Sequence, residues 1–168
     1  MVFTCIIILI TVIALSGCNN ILNNKNGNTN KSNIKISDIA LIDLGGKALS
    51  LDQYAGKTLF VNFWATWCKP CIHEMPSIQR AMEQLKNENI EFLFASDESV
   101  AVLERFSSNN NYPFQYVRGV NMEELMIQGL PTTFIFNPSG KLIFNEIGSR
   151  QWDTKNSIDL IKKIIHSQ

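Results

Sequence analysis

Two cysteines three residues apart, in Trp67-Cys68-Lys69-Pro70-Cys71, are the side chains of this sequence best suited to do chemistry. Two thiols at this spacing can cycle between dithiol and disulfide by thiolate attack. The flanking sequence favours a reactive pair. Thr58 to Trp64 is a short apolar run rich in β-branched and aromatic residues, predicting a buried strand. Ala65-Thr66-Trp67 forms a turn, and a helical pattern begins near Lys69. Cys68 therefore falls at the start of a helix, where unpaired N–H groups and the positive end of the dipole stabilise a thiolate. Pro70 suits an early helical position, because its missing N–H would have had no partner there. Cys71 lies one turn further in, within closing distance of Cys68.

The remaining composition narrows the chemistry. The chain has 168 residues, with Lys+Arg and Asp+Glu at 15 each. That balance, without a dense basic run, argues against a nucleic-acid partner. Of the four cysteines, Cys5 and Cys18 lie near the N-terminus, leaving one C-x-x-C in the body of the chain. A disulfide scaffold needs more bridges, and a closed zinc site needs four ligands. His73 and His166 are the only histidines, and His73 is too near the cysteines in sequence to complete a tetrahedral site. No metal and no cofactor are expected, and His73 is given no role.

The elements that must position the pair follow in order. Residues 1–18 carry an apolar run ending in small residues, too short to cross a membrane as a stable helix, and predict a secretory signal. No Lys or Arg precedes the run, a departure from the usual signal pattern. Residues 19–33 are dominated by Asn and predict a flexible tether. A folded domain is expected over residues 34–168. It opens with Ile34 to Leu44, a Gly45-Gly46 turn and a return strand at Ala48 to Leu51, followed by a brief helical turn at residues 52–56.

After the central strand, a helix from Lys69 toward Asn87 presents Ile72, Met75, Ile78, Met82 and Leu85 on one stripe, with an expected kink at Pro76. Strands are expected at Ile90 to Ala95, Phe114 to Val117, Leu130 to Phe136 and Lys141 to Ile147, the last two forming a hairpin around Asn137-Pro138-Ser139-Gly140. Helices are expected at Asp97 to Asn109, Met122 to Gln128 and, capped by Asp153 or Thr154, near the C-terminus. This order predicts an α/β fold, a mixed sheet with helices on both faces.

Taken together, N-F-W-A-T-W-C-K-P-C, Glu74-Met75-Pro76 and Gly129-Leu130-Pro131-Thr132-Thr133 resemble the thioredoxin fold. They are most similar to the membrane-anchored, extracytoplasmic thiol-disulfide oxidoreductases of the TlpA/ResA type. The resemblance covers about Ile34 to the C-terminus. It implies a thioredoxin fold with a central mixed β-sheet flanked by helices, an N-terminal β-hairpin, and a central insertion around Asp97 to Val117. It implies Cys68 as the exposed nucleophile and Cys71 as the resolving thiol, the two forming the redox disulfide. Pro131 should follow a cis peptide bond and face the cysteines, leaving the Leu130 backbone free to pair with an extended substrate. Trp67 and Pro70 should form an apolar rim, with Trp64 in the core.

Minimal thioredoxins carry a buried Asp in the central strand, whereas this position is Asn62, which cannot titrate. Glu74, three residues after Cys71, is thus the acid–base candidate, the other reading being an ordinary acidic residue in an early, partly exposed helical turn. Leu15-Ser16-Gly17-Cys18 resembles the lipobox of bacterial lipoprotein signals, which implies a lipid anchor on Cys18. The expected protein is a monomeric, lipid-anchored disulfide reductase on the outer side of a bacterial membrane. The resemblance implies a disulfide-containing client such as apocytochrome c, with a membrane thiol-electron donor as the expected source of electrons. Two alternatives compete. A peroxiredoxin-like peroxidase would resemble P-x-x-x-T-x-x-C, but Ala65 stands three before Cys68. A non-enzymatic binding lipoprotein could keep the fold without turnover.

Overall fold

The computed structural model describes residues 34–167. The expected signal, the tether and Cys18 lie outside the described residues. The described strands are β1 (Leu41–Ile42), β2 (Thr58–Phe63), β3 (Ile90–Ser96), β4 (Gln115–Gly119), β5 (Thr132–Phe136) and β6 (Leu142–Ile147). The α-helices are α1 (Lys69–Gln84), α2 (Val100–Asn109) and α3 (Lys155–Ile165). One six-stranded sheet runs β1-β4-β3-β2-β5-β6. β2, β3 and β4 are parallel, whereas β5 is antiparallel to β2, and β6 to β5. This is the expected α/β architecture with a mixed sheet.

β2 sits at the centre because every one of its side chains can be buried: Thr58 to Phe63 are all inaccessible or nearly so. Its alternate residues serve two cores. Phe60 joins Phe92, Phe94, Tyr116 and Ile135 on the face covered by α1, α2 and α3. Leu59, Val61 and Phe63 join Leu93, Ala95, Val117, Phe134 and Phe136 on the other. The crossovers β2–α1–β3 and β3–α2–β4 step the same way across the sheet, so right-handed connections place both helices on one face. The expectation of helices on both faces is corrected accordingly. The second face is covered by the N-terminal segment (Ile39, Leu41, Tyr54) and by Met122 and Leu125.

Those covering segments differ from the sequence reading. Residues 122–126 form turns and 127–128 are irregular, rather than a helix over 122–128, with Met126 in the left-handed region at φ 53°. Asn121, which could have capped a helix there, instead accepts a hydrogen bond from Ala40 N–H at 2.9 Å and donates to the Asp38 carbonyl at 2.7 Å. Tying down residues 38–40 takes the place of capping. The N-terminal hairpin is reduced to β1, which pairs with β4 (Leu41↔Gly119) and reaches back through a bridge at Ile42↔Ala48. A 3₁₀ turn occupies Leu51–Tyr54.

Helix limits shift for local reasons. α1 ends at Gln84 rather than Asn87, with Leu85 leaving the helical region at φ −105°, ψ 8°. It runs through Pro76 as one element. α2 begins at Val100 rather than Asp97, because Ser96 and Glu98 bond each other in a tight turn and Ser99 is extended. α3 begins one residue after Thr154, whose Oγ1 accepts from Ser157 N–H. Its apolar stripe, Ile158, Ile161, Ile164 and Ile165, is buried. Removing an N-cap of this kind costs about 0.5–2 kcal/mol. Thr154→Ala should therefore lower stability in urea unfolding by about 1 kcal/mol, with Thr154→Ser restoring most of it.

Candidate active site

The site lies where β2 leaves the sheet. Trp64 N–H continues the ladder to the Ala95 carbonyl at 3.0 Å, and the chain then turns through Ala65-Thr66-Trp67. A carboxylate from beyond β3 holds this turn. Glu98 accepts from Thr66 N–H at 2.7 Å and from the Thr66 hydroxyl at 2.6 Å. Cys68 follows as the N-cap of α1, with Pro70 at the second helical position. Cys68 and Cys71 are joined in a disulfide, their Cα atoms 5.3 Å apart. Cys71 N–H points at Cys68 Sγ at 3.3 Å. In the dithiol form this N–H and the other unpaired amides of the first turn stabilise a Cys68 thiolate.

The expected exposure of Cys68 is corrected. It is 4% accessible and Cys71 1%, so the disulfide sits within the packed α1 face rather than on the surface. Cys68 is the slightly more accessible residue of the two. Trp67 stands out beside it at 70% exposure, and Pro70 is exposed as well. Trp64 is fully buried, as expected.

The Leu130–Pro131 peptide bond is cis. Thr132 pairs with Phe63, the last residue of β2, so Pro131 arrives at the sheet end from which the cysteine turn departs. Pro131 itself is buried and Leu130 half-buried. The Pro131 carbonyl accepts from Gly148 N–H at 2.8 Å. Among the described residues no hydrogen bond engages the Leu130 peptide groups.

Glu74 departs most from expectation. It is not a partly exposed helix residue but is buried, at 1% accessibility. Residue 74 of α1 faces the sheet, and three donors converge on its carboxylate. Asn62 Nδ2 reaches Oε1 at 2.8 Å, and Arg150 N–H and Trp152 Nε1 reach Oε2 at 3.0 and 3.3 Å. Burial raises the Glu74 pKa above the ordinary carboxylate range. Hydrogen bonds from Arg150, Asn62 and Trp152 pull it back, and the nearby Glu146 charge adds to the rise. Ser77 secures the same strand of chain, donating to the carbonyls of Glu74 and Arg150 and accepting from Trp152 N–H.

Trp152, Arg150 and Glu98 were not singled out by sequence reasoning. Their spacing to the cysteines carries no periodic signal, since the turn after β6 and the turn after β3 reach the site only through the fold. Among the described residues no group of three or more His, Cys, Asp or Glu could hold a metal ion, and no helix is long and apolar enough to cross a membrane.

Comparison with known proteins bears on this arrangement. The AhpC/TSA family matches residues 33–144. The thiol-disulfide oxidoreductase ResA of Bacillus subtilis (strain 168) is 32% identical over 110 residues, covering 63% of this chain and 62% of that protein. The ResA of Bacillus thuringiensis subsp. konkukian (strain 97-27) is 33% identical over 132 residues, covering 76% of this chain and 75% of that protein. A solved structure described as a putative thiol:disulfide interchange protein DsbE from Chlorobium tepidum has a TM-score of 0.65 at 20% identity. That match covers 79% of this chain and 94% of that one.

A carboxylate whose pKa is raised by folding makes stability fall as pH rises. Below its ordinary value of 4.5 both folded and unfolded chains hold the proton. Above that value the unfolded chain releases it while the folded chain retains it, until the raised folded pKa is passed. Glu74→Gln should lack this fall. Urea midpoints of wild type and variant, measured from pH 4 upward (about the carboxylate range), should differ in slope over that window. Parallel curves would show that Glu74 titrates as an ordinary carboxylate.

Proposed function

The chain belongs to the AhpC/TSA family and is a thiol-disulfide oxidoreductase of the thioredoxin superfamily; from that premise we propose that it is a membrane-anchored protein disulfide reductase working outside the cytoplasm. What carries this reading is the Cys68–Cys71 pair at the N-cap of α1, with the Cys71 amide turned toward Cys68 Sγ.

The reaction follows from the chemistry of the pair. The Cys68 thiolate attacks one sulfur of a substrate disulfide, and the other substrate sulfur leaves as a thiolate. Cys71 gives its proton to a base and attacks Cys68 Sγ, forming the Cys68–Cys71 disulfide and releasing the second substrate thiolate. Two electrons pass to the substrate, and a membrane thiol-electron donor must return them. Glu74, one helical turn beyond Cys71, is the base in this scheme. Burial supports the role, because a carboxylate with a raised pKa holds a proton more readily near neutral pH.

Substrate docking falls to Trp67, Pro70, Leu130 and Pro131. Trp67 and Pro70 offer apolar surface beside Cys68. The Leu130 peptide groups suit pairing with an extended segment of the client. Pro131 acts beneath them, setting the path of the backbone rather than offering its ring. Apocytochrome c, whose C-x-x-C-H thiols must be reduced before haem attachment, is the proposed client class. Cys18 is the proposed lipid anchor, with residues 19–33 as the tether and a monomer as the working form. The family also includes peroxidases, but Ala65 occupies the position where their motif carries Thr.

Cys68→Ser should abolish reduction of a protein disulfide, and Cys71→Ser should accumulate a mixed disulfide on Cys68 visible by mass spectrometry. Turnover by Cys68→Ser, or rapid peroxide consumption by the reduced wild type, would reject the assignment. Cys18→Ala should move the protein out of the membrane fraction or leave it unprocessed. Wild-type size and fractionation would remove the anchor from the proposal.

A further inference from the structure

The surroundings of Glu74 are lopsided. Asn62 Nδ2, Arg150 N–H and Trp152 Nε1 all donate, and none of them can accept. This cage suits a carboxylate and opposes a carboxylic acid, whose O–H needs an acceptor. Yet the role proposed above requires Glu74 to take a proton in each cycle. Of the three donors, two are fixed: Arg150 N–H belongs to the backbone and the Trp152 indole is wedged edge-on against Phe60 at 4.8 Å. The third can change its chemistry in place. Asn62 is 1% exposed, and its Nδ2 spends both hydrogens, on Glu74 Oε1 at 2.8 Å and on Thr133 Oγ1 at 3.1 Å. Its Oδ1 is buried and receives no hydrogen bond from the described residues.

We propose that the Asn62 amide is a protonation-linked switch that lets Glu74 hold the proton released by Cys71. Half a turn about the Cβ–Cγ bond exchanges Nδ2 and Oδ1. Oδ1 then accepts from the newly protonated Oε1 of Glu74 and from the hydroxyl of Thr133, which can donate as readily as it accepts. In both orientations one end of the amide is paired twice and the other is not, so neither is favoured by that count. Arg150 N–H and Trp152 Nε1 keep their bonds to Oε2 throughout. The proton travels from the Cys71 thiol to Glu74 Oε1 and leaves by the same route when the pair is reduced again. Asn62 never bonds to substrate or sulfur in this scheme; it is a positioning residue acting through Glu74.

The other groups near Glu74 do not supply the missing acceptor. From β6, Glu146 is held by the Arg150 guanidinium at 2.6 Å, and that guanidinium also donates to Ser157 on α3. From β2 and β5 come Asn62 and Thr133, neither of which titrates. On α1 itself Cys71 precedes Glu74 by three residues and is joined to Cys68 in the disulfide. A fixed amide donor and a switching one thus predict different behaviour.

The inference rests on the oxidoreductase reading, and one experiment separates the two. Labelled full-length protein, reduced and oxidised, is titrated by NMR while disulfide turnover is assayed on the same preparation. The Asn62 side-chain NH₂ signals should move with the midpoint of the Glu74 carboxyl. Their cross-relaxation to the Thr133 side chain should be present above that midpoint and lost below it. In Glu74→Gln the Asn62 signals should no longer respond to pH. Asn62→Leu removes both orientations, so resolution of the mixed disulfide should slow by about tenfold or more, with the first attack by Cys68 keeping its rate. Turnover in a wild type whose Asn62–Thr133 contact persists through the Glu74 titration overturns the switch and leaves the oxidoreductase standing. Equal slowing of attack and resolution in Asn62→Leu, or no slowing of either, also overturns it. A wild type with no turnover removes both readings.

Discussion

A single carboxylate buried between α1 and the sheet dictates much of this structure. Glu74 is 1% exposed, and an ionised carboxyl in such a place is tolerated only where hydrogen-bond donors replace water. No one element could supply them. The donors come from β2 through Asn62 and from the turn between β6 and α3 through Arg150 and Trp152. Satisfying Glu74 therefore pins the start of α1 to the central strand and to the chain entering the last helix. Trp152 does this while filling the core, edge-on to both Phe60 and Phe144. Arg150 lies over the Phe144 and Trp152 rings and neutralises Glu146.

The cysteines inherit their position from that arrangement. β2, β3 and β4 are parallel, and the turn that carries the cysteines leaves the carboxyl end of β2, where open α/β sheets generally place their chemistry. Two constraints fix that turn. Glu98 holds Thr66 by both its amide and its hydroxyl, and the helix begun at Cys68 is held one turn later by Glu74. The antiparallel pairing of β5 brings Leu130 and Pro131 to the same sheet end. The disulfide and the buried carboxylate of α1 and the cis-proline segment before β5 thus come from two separate stretches of chain assembled around one strand terminus.

Much of this was legible in the sequence for definable reasons. The central strand is an uninterrupted apolar run, and C-x-x-C with Pro70 after a turn marks a helix N-terminus by local chemistry alone. The strands around Asn137-Pro138-Ser139-Gly140 pair as that turn predicts. What escaped was set by tertiary contact. Glu74 has the sequence surroundings of an ordinary first-turn acid, and only the approach of residues 150–152 reveals that it is buried. Glu98 sits among Ser and Asp in a stretch that reads as a helix start, yet its carboxylate belongs to Thr66. Met122 to Gln128 has helical composition, but its prospective cap, Asn121, is engaged by residues 38–40.

In the proposed function Cys68 and Cys71 form a working couple that delivers electrons to client disulfides. Equilibrating the purified protein in dithiol–disulfide buffers, and following the fraction of reduced Cys68–Cys71 by thiol alkylation, measures its reduction potential directly. A reversible two-electron transition near that of thioredoxin, about −270 mV, is expected, as a reductant requires. A value near that of a strong oxidant, about −120 mV, or a pair that does not titrate at all, would contradict it.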